Sequence, residues 1–126
     1  MVRYETSRER EILGRRLKQG DIIKVDLDPT VGHEQAGYRP VVVVSNDFFN
    51  KKSNTVMICP ITNTTNKFPL HVELDGTQTT GEVKCEHIRA IDIANRPYKF
   101  IESITSEDVI KDIADIIYGS TEVLED

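Results

Sequence analysis

Three short clusters in this chain carry ionisable and hydrogen-bonding side chains at spacings that could do chemistry. The densest is Gly32-His33-Glu34-Gln35-Ala36-Gly37-Tyr38-Arg39-Pro40, with an imidazole, a carboxylate, an amide and a guanidinium between His33 and Arg39. Its two glycines allow close approach of backbone to a ligand, and Pro40 biases Arg39 towards an extended conformation. A fixed guanidinium donates two parallel hydrogen bonds to a phosphate. The same residues could instead form a Glu34–Arg39 ion pair that only stiffens the loop. The second cluster, Thr62-Asn63-Thr64-Thr65-Asn66-Lys67-Phe68, offers hydroxyls, amides, a cation and an aromatic ring. Such a set hydrogen-bonds unstacked bases and stacks on one of them, although it also reads as a polar loop with Phe68 in the core. The third is Lys84-Cys85-Glu86. On a continuous strand Lys84 and Glu86 share a face about 6.5–7 Å apart, and Cys85 points the other way. An ammonium and a carboxylate flanking one spot can act as acid and base across a phosphodiester, or form a solvent-facing charge pattern.

Other chemistries find less support. His33, His71 and His87 show no metal-ligand spacing with one another or with Cys59 and Cys85, so no metal site is expected. No glycine-rich phosphate loop leads from a strand into a helix. The serines and cysteines lack a hydrolase elbow or a Cys–His signature.

The elements that must position these clusters are mostly strands. Residues 6–18 read as a short polar helix with Thr6 and Glu9 at capping-box spacing. From Gly20 the period becomes two: Ile23, Val25 and Leu27 alternate with Lys24, Asp26 and Asp28, the pattern of a half-buried antiparallel strand. Residues 30–38 form a loop. Pro40–Ser45 carries four successive valines, a strand buried on both faces. Residues 46–54 are a polar connection anchored by Phe48 and Phe49. Thr55–Ile61 is a strand, Pro69–Leu74 alternates again, and Asp75-Gly76 signals a turn. Gly81–Ile93 supplies one long or two short strands with Lys84, Glu86, Ile88 and Ala90 on one face. Finally Val109, Ile110, Ile113, Ile116 and Ile117 make a one-sided apolar stripe. Thr105 or Ser106 can cap this helix and Gly119 can end it. Five or six short strands and a terminal helix predict a mainly β fold, a small barrel with the helix docked on it.

The chain has 126 residues, 38% hydrophobic and 29% charged, the size and balance of one globular domain. The expected division is an N-terminal extension over 1–19, a barrel domain over 20–119 and an acidic tail over 120–126. No apolar run exceeds the four residues of Val41–Val44 and the first ten residues hold no apolar stretch, so neither a membrane span nor a secretory signal is expected. Two cysteines suggest no disulfide framework, and a reduced, cytoplasmic protein is the expectation. The net charge of −5 is uneven: +3 over residues 1–20, −1 over 21–100 and −7 over 101–126. A local basic groove therefore survives an acidic total.

Each cluster is ambiguous alone, but their order is specific. Gly20-Asp21-Ile22, Val25-Asp26-Leu27-Asp28-Pro29-Thr30, the Gly32–Pro40 block, Phe49-Asn50, Pro60-Ile61-Thr62 and Arg89-Ala90-Ile91-Asp92 occur in succession. Over residues 20–118 the chain resembles the MazF/PemK/Kid toxins of bacterial toxin–antitoxin pairs. The segment from Leu74-Asp75-Gly76 to Thr79-Thr80-Gly81-Glu82-Val83-Lys84-Cys85-Glu86 is most similar to the Kid/PemK branch. The resemblance implies an SH3-like barrel acting as a homodimer, an endoribonuclease that cuts single-stranded mRNA at short sequences without a cofactor or metal. It also implies attack by the substrate's own 2′-OH, leaving a 2′,3′-cyclic phosphate and a 5′-OH end, and an antitoxin whose acidic disordered tail occupies the RNA groove. By the same resemblance Arg39 clamps the phosphate, Thr62 hydrogen-bonds the developing phosphorane, Glu86 is the base and Lys84 the acid, with His33 and Glu34 in support. Gln35, Asn63, Thr64, Lys67, Phe68 and Thr80 are the RNA-contacting candidates. Lys84 and Glu86 stand where the Kid branch has Arg and Asp. The alternatives are a gyrase-directed, CcdB-like toxin on the same fold and a catalytically silent RNA- or protein-binding barrel.

Overall fold

The structure, a computed structural model, describes residues 16–27, 38–64 and 68–125. Among the described residues, seven strands form one antiparallel sheet: β1 (Asp21–Asp26), β2 (Tyr38–Val43), β3 (Val56–Thr62), β4 (His71–Glu73), β5 (Glu82–Lys84), β6 (Arg89–Ile91) and β7 (Tyr98–Ser103). The order is β4-β5-β3-β2-β1-β7, and β6 also pairs with β3. Helix α1 spans Asp47–Lys52, helix α2 spans Glu107–Thr121, and Cys85–His87 form a 3-10 turn.

The valine run behaves as expected of a strand buried on both sides. Val41 and Val43 enter one core cluster with Leu17, Ile23, Val25, Val56, Ile58, Ile91, Ile93 and Tyr98. Val42 enters the other with Ile22, Cys59, Ile61, Val72, Val83, Cys85, Ile104, Val109 and Ile113. Ile91 lies on the strand that pairs with β3, and Tyr98 on the strand that pairs with β1, yet both reach the first cluster. The sheet must therefore curl round that cluster, as a small barrel does. The second cluster lies on its outer side, where α2 docks through Val109 and Ile113. Fully burying each Val or Ile stabilises by about 1.5–3 kcal/mol.

Several expectations need correction. β7 was not foreseen: Tyr98 is buried, but its neighbours Lys99, Phe100, Ile101 and Glu102 are all partly buried, so no clean alternation marks the strand. Residues 47–52 are a helix capped by the Asn46 side chain, which accepts from the Phe49 amide at 3.0 Å. Phe48 does not anchor it; the ring is 72% exposed. Ser106, rather than Thr105, caps α2, accepting from the Val109 amide. The helix then runs through Gly119 to Thr121, because nothing at Gly119 requires a positive φ. The helix expected over 6–18 falls mostly outside the described residues. Its last three positions are not helical, and Leu17 is buried in the core. The loop over 30–38 also lies outside them, apart from Tyr38, which begins β2.

Candidate active site

Strand registers determine which side chains meet. β2 and β3 pair as Val41↔Pro60, Val42↔Cys59 and Val43↔Ile58. Arg39, two residues before Val41 on β2, lies on the sheet face that carries Val41 and Val43 and pairs across the other edge with Val25. Beyond Pro60, β3 leaves β2 and pairs with β5, Ile61↔Val83 and Thr62↔Glu82. β5 in turn pairs with β4, His71↔Lys84 and Val72↔Val83. Directly opposed residues share a face, so Thr62, Glu82, Lys84 and His71 line one surface. Ile61, Val83 and Val72 point to the second core cluster behind it.

The strand carrying Lys84 ends there. Cys85–His87 turn as a 3-10 segment with Cys85 buried, so Lys84 and Glu86 are not i, i+2 neighbours on one continuous strand. Gly81–Ile93 instead holds two short strands split by this turn. The turn swings Glu86 over β4, where its Oε2 lies 2.9 Å from His71 Nε2. On the other side of the ring, His71 Nδ1 lies 3.0 Å from Glu82 Oε1. The His71 and Glu82 side chains are 6% and 5% exposed, and Glu86 is 25% exposed. Phe68 packs edge-on to the imidazole with centroids 5.2 Å apart, its own ring 42% exposed. His87 Nε2 stands 3.9 Å from Glu86 Oε2.

This geometry moves two proton equilibria. Burial alone would lower the His71 pKa, but hydrogen bonds and charge from Glu86 and Glu82 outweigh it, and the net direction is up. Burial would raise Glu86, but the His71 hydrogen bond, backbone bonds and the charges of His71 and His87 prevail, and its carboxyl sits below the usual range. The thiols behind the surface are inert by contrast. Burial, then the nearby Cys85 and Glu86, push Cys59 up to about 12, and burial with Glu86 pushes Cys85 to about 11.

Of the candidates from sequence, Thr62 and Lys84 lie on one surface by strand pairing, Glu86 reaches it through His71, and Arg39 lies near the start of β2. Asn63, Thr64 and Phe68 flank β3 and β4, all three exposed. Thr80 is exposed in the connection between β4 and β5. That connection is pinned by Glu102, which accepts from the Gln78 amide and from the Thr79 amide and hydroxyl. His33, Glu34, Gln35 and Lys67 lie outside the described residues. Sequence reasoning missed His71 and Glu82 as site residues. Only the β4–β5 register reveals them, since a polar residue in an alternating strand reads as a solvent-facing one.

A family model of PemK-like, MazF-like toxins of type II toxin–antitoxin systems matches residues 18–117. The Endoribonuclease PemK of Escherichia coli is 34% identical over 116 residues, covering 82% of this chain and 87% of that protein. The Endoribonuclease EndoA of Bacillus subtilis is 42% identical over 82 residues, 60% of this chain and 71% of the relative. Among solved structures, MazF from Deinococcus radiodurans superposes with a TM-score of 0.70 at 25% identity, covering 82% of this chain and 94% of that one. A MazE-MazF structure from the same organism gives a TM-score of 0.68 at 25% identity, with the same coverage. With this antiparallel sheet and a family match across most of its length, the chain belongs to the PemK-like, MazF-like toxins of type II toxin–antitoxin systems.

Proposed function

We propose that this toxin is an endoribonuclease that cleaves single-stranded RNA, mRNA above all, through attack of the substrate's 2′-OH on the adjacent phosphate. The observation that supports the reading is the pairing of Thr62 with Glu82 and of Lys84 with His71 on one surface, with Glu86 at hydrogen-bond distance from His71. Glu86 takes the 2′-OH proton as the oxygen bonds to phosphorus. Arg39 holds the non-bridging oxygens, where charge grows in the phosphorane, and Thr62 donates its hydroxyl proton there. Lys84 gives a proton to the departing 5′-oxygen, leaving a 2′,3′-cyclic phosphate and a 5′-OH end. The lowered Glu86 pKa is a compromise: it weakens the base but keeps it ionised well below neutrality.

Asn63, Thr64, Phe68 and Thr80, with Gln35 and Lys67, are assigned to base recognition, and His33 and Glu34 to support of Arg39. Phe68 fits the part, having one ring edge on His71 and much of its surface open for stacking. The working unit is assigned as a homodimer in the cytoplasm. The partner is an antitoxin whose acidic tail competes with RNA for the Arg39 groove. Incubating the protein with long single-stranded RNA in excess chelator, beside Arg39→Ala, tests the reading. Discrete cuts with 5′-OH ends are expected, reduced at least about 10²-fold in the variant. Intact RNA with the folded wild-type protein, or equal cutting by Arg39→Ala, would refute it.

A further inference from the structure

His71 is the one imidazole among the described residues with both ring nitrogens at hydrogen-bond distance from carboxylate oxygens. A neutral imidazole carries a single N–H. With both carboxylates ionised, the neutral ring would turn a lone pair on one of them. Glu82 is nearly fully buried and Glu86 is not, so the proton that remains on a neutral ring belongs on Nδ1, facing Glu82. The lone pair on Nε2 would then repel Glu86. The doubly protonated ring avoids this by donating to both.

The groups around the ring favour that state. From β5, Glu82 bonds it and Lys84 stands opposite it in register. From the 3-10 turn come Glu86 and, beyond it, His87. Glu73 on the same strand and Asp112 and Asp115 on α2 border the open groove that His71 lines. Lys111 is paired with Asp115 at 3.0 Å. Two carboxylates thus bond the ring and three more line its groove, against the cation of Lys84 and the titratable His87.

We propose that Glu82 and His71 are positioning residues for RNA cleavage: Glu82 holds the His71 ring charged and aimed, and the ring fixes Glu86 Oε2 so that Oε1 faces the attacking 2′-OH. The inference rests on the assignment of Glu86 as base. His71 does not exchange protons with substrate; it orients the group that does. Above the His71 midpoint the ring loses the proton that faced Glu86, and the base swings out of line.

This makes an unusual pH prediction. In wild type, kcat is expected to fall as pH rises through the His71 midpoint, and nuclear magnetic resonance of the ring nitrogens is expected to place that midpoint above the ordinary histidine value. In Glu82→Gln the amide can donate to a bare Nδ1, so a neutral ring keeps Nε2–H on Glu86. That variant is expected to lower the His71 midpoint and to flatten this limb of the kcat profile. His71→Gln, whose amide can occupy the place of Nε2–H, should keep most activity without the limb, whereas His71→Ala should lose about tenfold in kcat with little change in KM. Superimposable profiles for wild type and Glu82→Gln, or a wild-type ring midpoint no higher than the ordinary histidine value, overturn the proposal. The ring spectrum needs no variant to fold. Glu86→Gln separates the two readings. If it is inactive while the profiles superimpose, the positioning role alone fails; if it cuts like wild type, the base assignment fails and takes this inference with it.

Discussion

Replacing Gly81 by alanine tests how tightly the site is tied to backbone packing. Gly81 has φ +126, and a Cβ there would fall well inside contact distance of the Thr62 carbonyl oxygen and 3.1 Å from Ile61 Cγ2. The positive φ alone costs an L-residue about 1–2 kcal/mol. The clash adds to this, because its partner is strand backbone and cannot rotate away. Relief requires β3 and β5 to part at Ile61↔Val83 and Thr62↔Glu82, forfeiting about 1 kcal/mol for each net ladder hydrogen bond lost. The expected loss is therefore about 3–4 kcal/mol. Gly76 is the internal control: its φ is +73, but nothing lies within 4 Å of a built Cβ. Gly76→Ala should cost only the conformational share, about 1–2 kcal/mol. Urea unfolding of both variants, with m-values compared, measures the difference. Cleavage by folded Gly81→Ala should also fall, since the residue displaced is Thr62. Equal losses for the two variants would refute the clash argument.

Other expectations rest on separate features. Ile113→Ala, at the buried centre of the α2 contact, should destabilise by about 2–5 kcal/mol in the same urea assay. Ser106→Ala removes the cap on the Val109 amide and should cost about 1 kcal/mol. The thiols give a pH test with a definite sign. Both have pKa values raised from an ordinary 9.0, to about 12 for Cys59 and about 11 for Cys85. Above 9 the folded state therefore holds protons that the unfolded chain releases. Their contribution is fully present below pH 9 and is lost as pH rises towards 11 and 12. Denaturant titrations between pH 8 and 11 should show this decline flattened in Cys59→Ala, and native thiols should resist alkylation at pH 8.

Much of the fold was legible because a valine run or a one-sided isoleucine stripe leaves few places to go. β1, β2, β3 and α2 each announce themselves by apolar period, and the structure moves their ends by only a few residues. β7 stayed hidden because it mixes faces: Tyr98 is buried, yet Lys99 and Glu102 are only partly exposed. The Lys84–Glu86 relation was misjudged for another reason. Alternation along a strand is a local rule, whereas the 3-10 turn at Cys85–His87 begins where β5 loses its partner. His71 and Glu82 were legible only through pairing across the 74–81 connection, and no single-strand pattern encodes a register.

The double allegiance of β3 has a consequence for synthesis. Thr62 emerges from the ribosome well before the strand that holds it, and Glu86 and β7 follow later still. A chain interrupted before residue 82 has Arg39 and Thr62 but no β5 to pair with the second, and neither Glu82 nor Glu86. On the proposed roles of these residues, the toxin gains a complete site only after most of its sequence has been read, which spares the template on which it is being made.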